Sequence, residues 1–125
     1  MTPEKLIEKL VLNECSMLQI DVDIVESKAT YSKNKERYSA NKSVPEGFSD
    51  LVGNDSNGLA VFIELKAKGK LKTLRPKQRA FLERKIKQGC FACVVDSGEM
   101  LSELYINFLS LPVSERPKYL LSTLP

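Results

Sequence analysis

Apolar residues recur at three- and four-residue spacing through Leu6, Ile7, Leu10, Val11, Cys15 and Leu18, one stripe along a helix. Thr2, Pro3 and Glu4 supply an N-cap, a first helical residue and a first-turn acid, so the spacing predicts a helix from Pro3 to about Met17. The period then shortens to two. Ile20, Val22 and Ile24 alternate with Asp21, Asp23 and Val25 and predict a first strand over residues 20–26. Residues 27–46 are rich in Ser, Lys, Asn and Tyr, have no apolar period, and read as a long loop that is mobile without a partner. Tyr31 and Tyr38 within it are suited either to stacking on bases or to anchoring the loop. Two apolar runs follow, Leu51 to Gly53 and Leu59 to Lys66, separated by the small polar residues Asn54 to Gly58. That is strand, tight loop, strand: a hairpin with a five-residue connection. Alternation places Leu59, Val61, Ile63 and Leu65 on one face as a core side. Glu64 and Lys66 share the other face, with Cα atoms about 7 Å apart.

Helical spacing returns after Pro76, which opens a second helix that Gly89 ends. Gln78, Phe81, Leu82 and Ile86 fall on one face of it, so the Gln78 amide points inward or along the seam towards the hairpin. The unbroken apolar run Phe91 to Val95 predicts a central strand buried on both faces. Asp96 and Ser97 cap a third helix whose stripe is Met100, Leu101, Leu104 and Phe108. Pro112 and Pro117 interrupt what remains, and residues 114–124 read as a short helix or irregular tail. Leu120, Leu121 and Leu124 there are placed to pack on this core or on a second subunit.

A chain of 125 residues suits one domain, here 1–125, with 27–46 as its loop and 112–125 as a C-terminal extension. No run reaches the length of a membrane span and the N-terminus lacks signal-peptide architecture, which leads to the expectation of a cytoplasmic protein without membrane contact. The chain has no histidine. This excludes Ser-His-Asp hydrolysis, Cys-His nucleophilic catalysis and histidine-metal nucleases. Cys15, Cys90 and Cys93 are too few and too scattered for a structural zinc site and read as reduced thiols. Net charge is only +3, but ten basic residues lie between Lys66 and Lys87 with Glu83 as the only acid. A second basic cluster, Lys28, Lys33, Lys35, Arg37 and Lys42, is diluted by Glu36. Such a stretch suits either a solvated helix face or a polyanion, and beside an acidic site it points to DNA.

Glu64 and Lys66 are the residues that change the picture. Ionisable groups on a strand otherwise built for burial are costly unless paired or liganded. A hairpin would bring Asp50 beside them, giving an acid, acid, ammonium cluster that suits a divalent cation and a phosphate. The pattern resembles the PD-(D/E)xK nuclease superfamily and, within it, the VRR-NUC family. Gly47-Phe48-Ser49-Asp50-Leu51 looks like the family's G-x-P-D-L and Glu64-Leu65-Lys66 like its E-x-K. Pro76-Lys77-Gln78 looks like the end of its S-P-x-Q, and Gly89 followed by Phe91 to Val95 like its closing strand. The likeness spans roughly residues 46–104, with Ser49 where the family usually has proline and Arg75 where it has a helix-capping serine.

The resemblance implies an αβββαβα restriction-endonuclease-like α/β core, a mixed central sheet flanked by helices. It also implies a DNA phosphodiester hydrolase in which Asp50 and Glu64, helped by the Leu65 carbonyl, hold Mg²⁺ or Mn²⁺. Lys66 and Gln78 complete the catalytic set. A glutamate of the first helix joins the metal site in relatives; Glu4 matches best by resemblance, with Glu8 and Glu14 as alternatives. Lys68, Lys70, Lys72, Arg75, Lys77 and Arg79 are expected to line the DNA. Free-standing minimal members look like phage enzymes that cut branched DNA such as Holliday junctions as homodimers. A same-fold nuclease for flaps, ends or plain duplex, and a non-catalytic DNA-binding module, are the competing readings.

Overall fold

The computed structural model describes residues 1–25, 30–32, 37–39, 44 and 46–125. Helix α1 (Pro3–Met17) starts where the capping pattern places it: the Thr2 hydroxyl accepts the Lys5 N–H at 3.2 Å. Ile7, Val11 and Cys15 are its buried residues, whereas Leu6 and Leu10 are 47% and 44% exposed. The buried stripe is therefore narrower than the apolar spacing predicted, because α1 packs on one side only, against α3, β1 and β5. The helix closes with Gln19 at φ 60 and the Ile20 N–H returning to the Cys15 carbonyl, a Schellman-type stop with glutamine where glycine is usual.

Strand β1 (Asp21–Ile24) is shorter than residues 20–26 and sits at an edge of the sheet, with Ile24 half exposed. Within the stretch predicted to be loop, β2 (Thr30–Ser32) and β3 (Arg37–Ser39) pair antiparallel as a separate two-stranded sheet. Tyr31 and Tyr38 are opposite each other in that register; Val44 and Glu46 are also described, and the other loop residues, with Lys28, Lys33, Lys35 and Lys42, lie outside the described residues. No apolar period announces these strands, so the sequence pattern there gives only loop.

The main sheet has four strands in the order β1-β4-β5-β6, formed with β4 (Leu51–Asn54), β5 (Ala60–Leu65) and β6 (Phe91–Val95). β1–β4 and β4–β5 are antiparallel and β5–β6 is parallel, so the sheet is mixed as expected. Helix α2 (Pro76–Lys87) crosses over between β5 and β6 and lays Phe81 on Phe62, ring centroids 5.6 Å apart. Helix α3 (Gly98–Ser110) packs Tyr105 and Phe108 on Phe91, which pairs with Val61 and so shares the opposite face from Phe62. Helices thus cover both faces. This corrects the picture of β5 as a strand with one core side: Val61, Phe62, Ile63 and Glu64 are all buried. A short 3₁₀ turn (Leu71–Thr73) lies in the basic connection before α2. Helix α4 (Arg116–Thr123) packs on α2, α3 and β6 and buries Leu120, so the C-terminal leucines belong to this core. Among the described residues no helix is long and apolar enough to cross a membrane.

Gly53 shows how tightly β1 and β4 meet. A Cβ there would stand 1.8 Å from the Asp21 carbonyl oxygen, a main-chain clash that no rotamer change relieves. Gly53→Ala is expected to destabilise the protein by about 1–3 kcal/mol, read as a lower urea midpoint. An unchanged midpoint would show that the two strands do not approach this closely in solution.

Candidate active site

The β4–β5 register pairs Leu51 with Ile63, which sets Asp50 one step beyond the ladder and opposite Glu64. The segment leading to it is pressed on the first turn of α2. Gly47 has φ +83, and a Cβ there would meet the Lys77 carbonyl oxygen at 2.5 Å, so both backbone and space require glycine. Phe48 stacks tilted on Phe81 with centroids 4.6 Å apart. Ser49, in the place of the family proline, is buried and donates its hydroxyl to the Leu51 carbonyl at 3.1 Å, bracing the same turn by a hydrogen bond. Asp50 then accepts the Leu65 N–H on Oδ2 at 2.8 Å.

Glu64 is 2% exposed, and its Oε2 has no hydrogen-bond partner among the described residues. Burial first, and then the hydrogen bond and charge of the adjoining Asp50 carboxyl, push Glu64 up to about 9, against the opposing pull of Lys66 and Arg75. A buried carboxyl oxygen without a protein partner is one that a water or a cation can satisfy. The oxygen-only donors Asp50, Glu64 and nearby main-chain carbonyls suit a hard divalent ion. Among the described residues no group of three or more His, Cys, Asp or Glu side chains is arranged to hold a metal, so the acids stand as a pair. Of the three α1 candidates, Glu4 is exposed, and Glu8 forms an ion pair with Lys5 at 3.0 Å. Glu14 lies in the groove between α1 and α3 with Glu99 and Glu103.

Lys66 follows two residues after Glu64 and its Nζ donates to the Gln78 Oε1 at 3.0 Å. The same oxygen accepts the Arg75 N–H at 2.9 Å. Gln78 thereby caps α2, a task that Arg75, with no acceptor on its side chain, leaves open. Gln78 is buried on the face of α2 that carries Phe81, Leu82 and Ile86, as the helical spacing predicted. Asp50, Glu64, Lys66 and Gln78 are thus gathered at one end of β5.

The basic residues divide into two groups. Lys68, Lys70, Lys72 and Arg75 are exposed and form no ion pair among the described residues. Lys77 is paired with Glu46 at 2.6 Å, and Arg79 with Glu83 at 2.8 Å while also donating to the Pro125 carbonyl. Further along α2, Lys85 stands over the Phe62 ring at 4.9 Å. One residue at this edge was read from sequence only as a helix cap. Asp96 accepts the Gly69 N–H on Oδ2 at 2.9 Å, in front of the true N-cap Ser97. Its signal was an acid directly after a buried strand.

Comparison with curated proteins gives no match. The family description "VRR-NUC domain" matches residues 5–99, a span that includes α1 from Lys5 onward, the β4–β5 hairpin, α2 and β6. With that match over most of its length and a mixed sheet flanked by helices, the chain belongs to the VRR-NUC family, restriction-endonuclease-like nucleases of the PD-(D/E)xK type.

Proposed function

We propose that this nuclease is a divalent-metal-dependent DNA endonuclease, structure-specific for branched DNA and acting as a homodimer in a bacterial or phage-infected cytoplasm. The observation that carries the metal reading is the buried Glu64 oxygen beside Asp50, without a partner among the described residues. Asp50, Glu64 and the Leu65 carbonyl would hold Mg²⁺ or Mn²⁺, with no third carboxylate from α1 beside them among the described residues. When bound, the cation supplies charge neutralisation at the scissile phosphate and acidifies a water. Lys66 places an ammonium at the phosphate, where negative charge grows along the reaction. Gln78 holds that ammonium in place through its Oε1, which is already fixed by the start of α2. Lys68, Lys70, Lys72 and Arg75, unpaired among the described residues, provide positive charge for the DNA backbone, and Lys77 and Arg79 contribute by exchanging Glu46 and Glu83 for phosphate.

Branched-DNA preference rests on the likeness to free-standing minimal members, and a two-fold dimer suits the two cuts that a symmetric junction needs. The test is cleavage of a labelled four-way junction beside matched linear duplex in Mg²⁺, Mn²⁺ or EDTA, with Glu64→Ala as control. Cutting of the junction alone, dependent on metal and lost in the variant, is the expected result. Equal cutting of both substrates keeps the chemistry and discards the specificity, leaving a flap, end or duplex nuclease. Tight binding with no cutting in any metal replaces the enzyme with a DNA-binding module. Where binding is measured, its logarithm should fall with salt at a slope of about −0.9 per phosphate contacted.

A further inference from the structure

Beyond β5 the chain is held by the end of β6 at two points. The Lys66 N–H donates to the Val95 carbonyl at 3.0 Å, one bond past the β5–β6 pairing. The Lys70 N–H donates to the Ala67 carbonyl at 2.9 Å, closing a tight turn with Lys68 and Gly69 at its centre. Gly69 has φ +79, the left-handed backbone that the third position of a type II turn demands. The second point is Asp96, whose Oδ2 takes the Gly69 N–H at the tip of that turn, 27 residues away in sequence. Lys68 and Lys70 flank the tip, both exposed and without an acid partner among the described residues. A carboxylate in this basic surface opposes a polyanion by its charge. What it provides is the acceptor that fixes the turn.

We propose that Asp96 is a positioning residue that pre-sets the Lys68–Lys70 turn for contact with DNA phosphates; this rests on the DNA-nuclease reading of the site. A turn ordered before binding spares the complex the entropy of ordering it, so the benefit is read in binding and not in the chemical step.

Two substitutions separate geometry from charge by the sign of their effects. Asp96→Asn keeps a carbonyl acceptor and removes the charge; Asp96→Ala removes both. Binding is measured by anisotropy of labelled duplex and junction DNA in EDTA across a NaCl series, and cleavage by steady-state kinetics in Mg²⁺. Asp96→Asn should bind as tightly as wild type or more tightly. Asp96→Ala should bind about three- to tenfold more weakly despite losing a negative charge, the loss of one hydrogen bond's worth of order. Its salt slope should be lower by about one phosphate contact, and its KM should rise with kcat unchanged. Tightening by both variants would make Asp96 a repulsive charge and overturn the proposal, as would an unchanged KM in Asp96→Ala. A melting temperature lowered in step with binding, not restored by Asn, would make the residue merely structural and equally overturn it. Failure of the wild type to bind or cut DNA would instead refute the nuclease reading on which the proposal stands.

Discussion

Replacing Glu64 by Gln is expected to abolish cleavage, by roughly a thousandfold or more, while leaving a protein that at alkaline pH without metal is more stable than wild type. The two effects have one cause. Glu64 is buried beside Asp50 with an oxygen lacking a partner among the described residues, and its pKa is raised from 4.5 to about 9. The folded metal-free protein therefore holds a proton that the unfolded chain releases above about 4.5. Stability from this group is full below that value and is lost as pH rises towards 9. Glutamine has the shape of the neutral acid and does not titrate, so the variant should gain on wild type across that window, on the order of 5 kcal/mol by pH 8. Mg²⁺ should close the gap by stabilising only the protein that carries the carboxylate. Thermal melts of both proteins at pH 5 and pH 8, in EDTA and in Mg²⁺, beside the junction-cleavage assay, check all three statements. Wild-type cleavage by Glu64→Gln, or a stability difference that ignores pH, would remove Glu64 from the site.

Asp55→Ala should give the largest loss of stability. Asp55 is 1% exposed in the connection between β4 and β5, and one oxygen accepts the N–H groups of Asn57 and Leu59, each at 2.9 Å. The other accepts the Tyr105 hydroxyl at 2.9 Å, joining the hairpin to α3. Burial and this hydrogen bond hold the Tyr105 phenol protonated, pushed up to about 12. Alanine would leave three donors without an acceptor, a loss of about 3–5 kcal/mol. For a chain of this size that is a fall in melting temperature of roughly 10–20 °C. Tyr105→Phe removes only one of the bonds and should cost about 1–1.5 kcal/mol. In the double variant the losses should not add, because the two residues share a bond. Additive losses, or a small effect of Asp55→Ala alone, would show that the turn and α3 are not coupled.

Much of the fold was legible because the relevant signals are local. A helix from Pro3 to Met17, the stop of α2 before Gly89 and the wholly buried β6 follow from capping, left-handed backbone and unbroken apolar runs. Asp50, Glu64, Lys66 and Gln78 were legible for a different reason: charged or amide groups at fixed places in strands and helices otherwise built for burial stand out against their surroundings. The β2–β3 hairpin, in contrast, has no apolar alternation to announce it, and neighbouring polar residues left only loop as a reading. The width of the α1 stripe was overestimated since periodicity shows which residues share a side, not how much of that side a neighbour covers.

By itself, then, the sequence determined the order and kind of most elements, the family, and the acids, lysine and amide that meet at the end of β5. The electrostatics of that meeting come from packing between remote segments. Helices on both faces take water from Glu64 and leave one of its oxygens without a partner among the described residues, while Gln78 is shared between Lys66 and the start of α2. The folded structure also sets which cations are available to a polyanion and which are held by Glu46 and Glu83. Asp55 with Tyr105, and Asp96 with Gly69, became visible only there. The physical reason is distance: local propensity acts over a few residues, whereas desolvation and hydrogen bonds between remote segments exist only once the chain has brought them together.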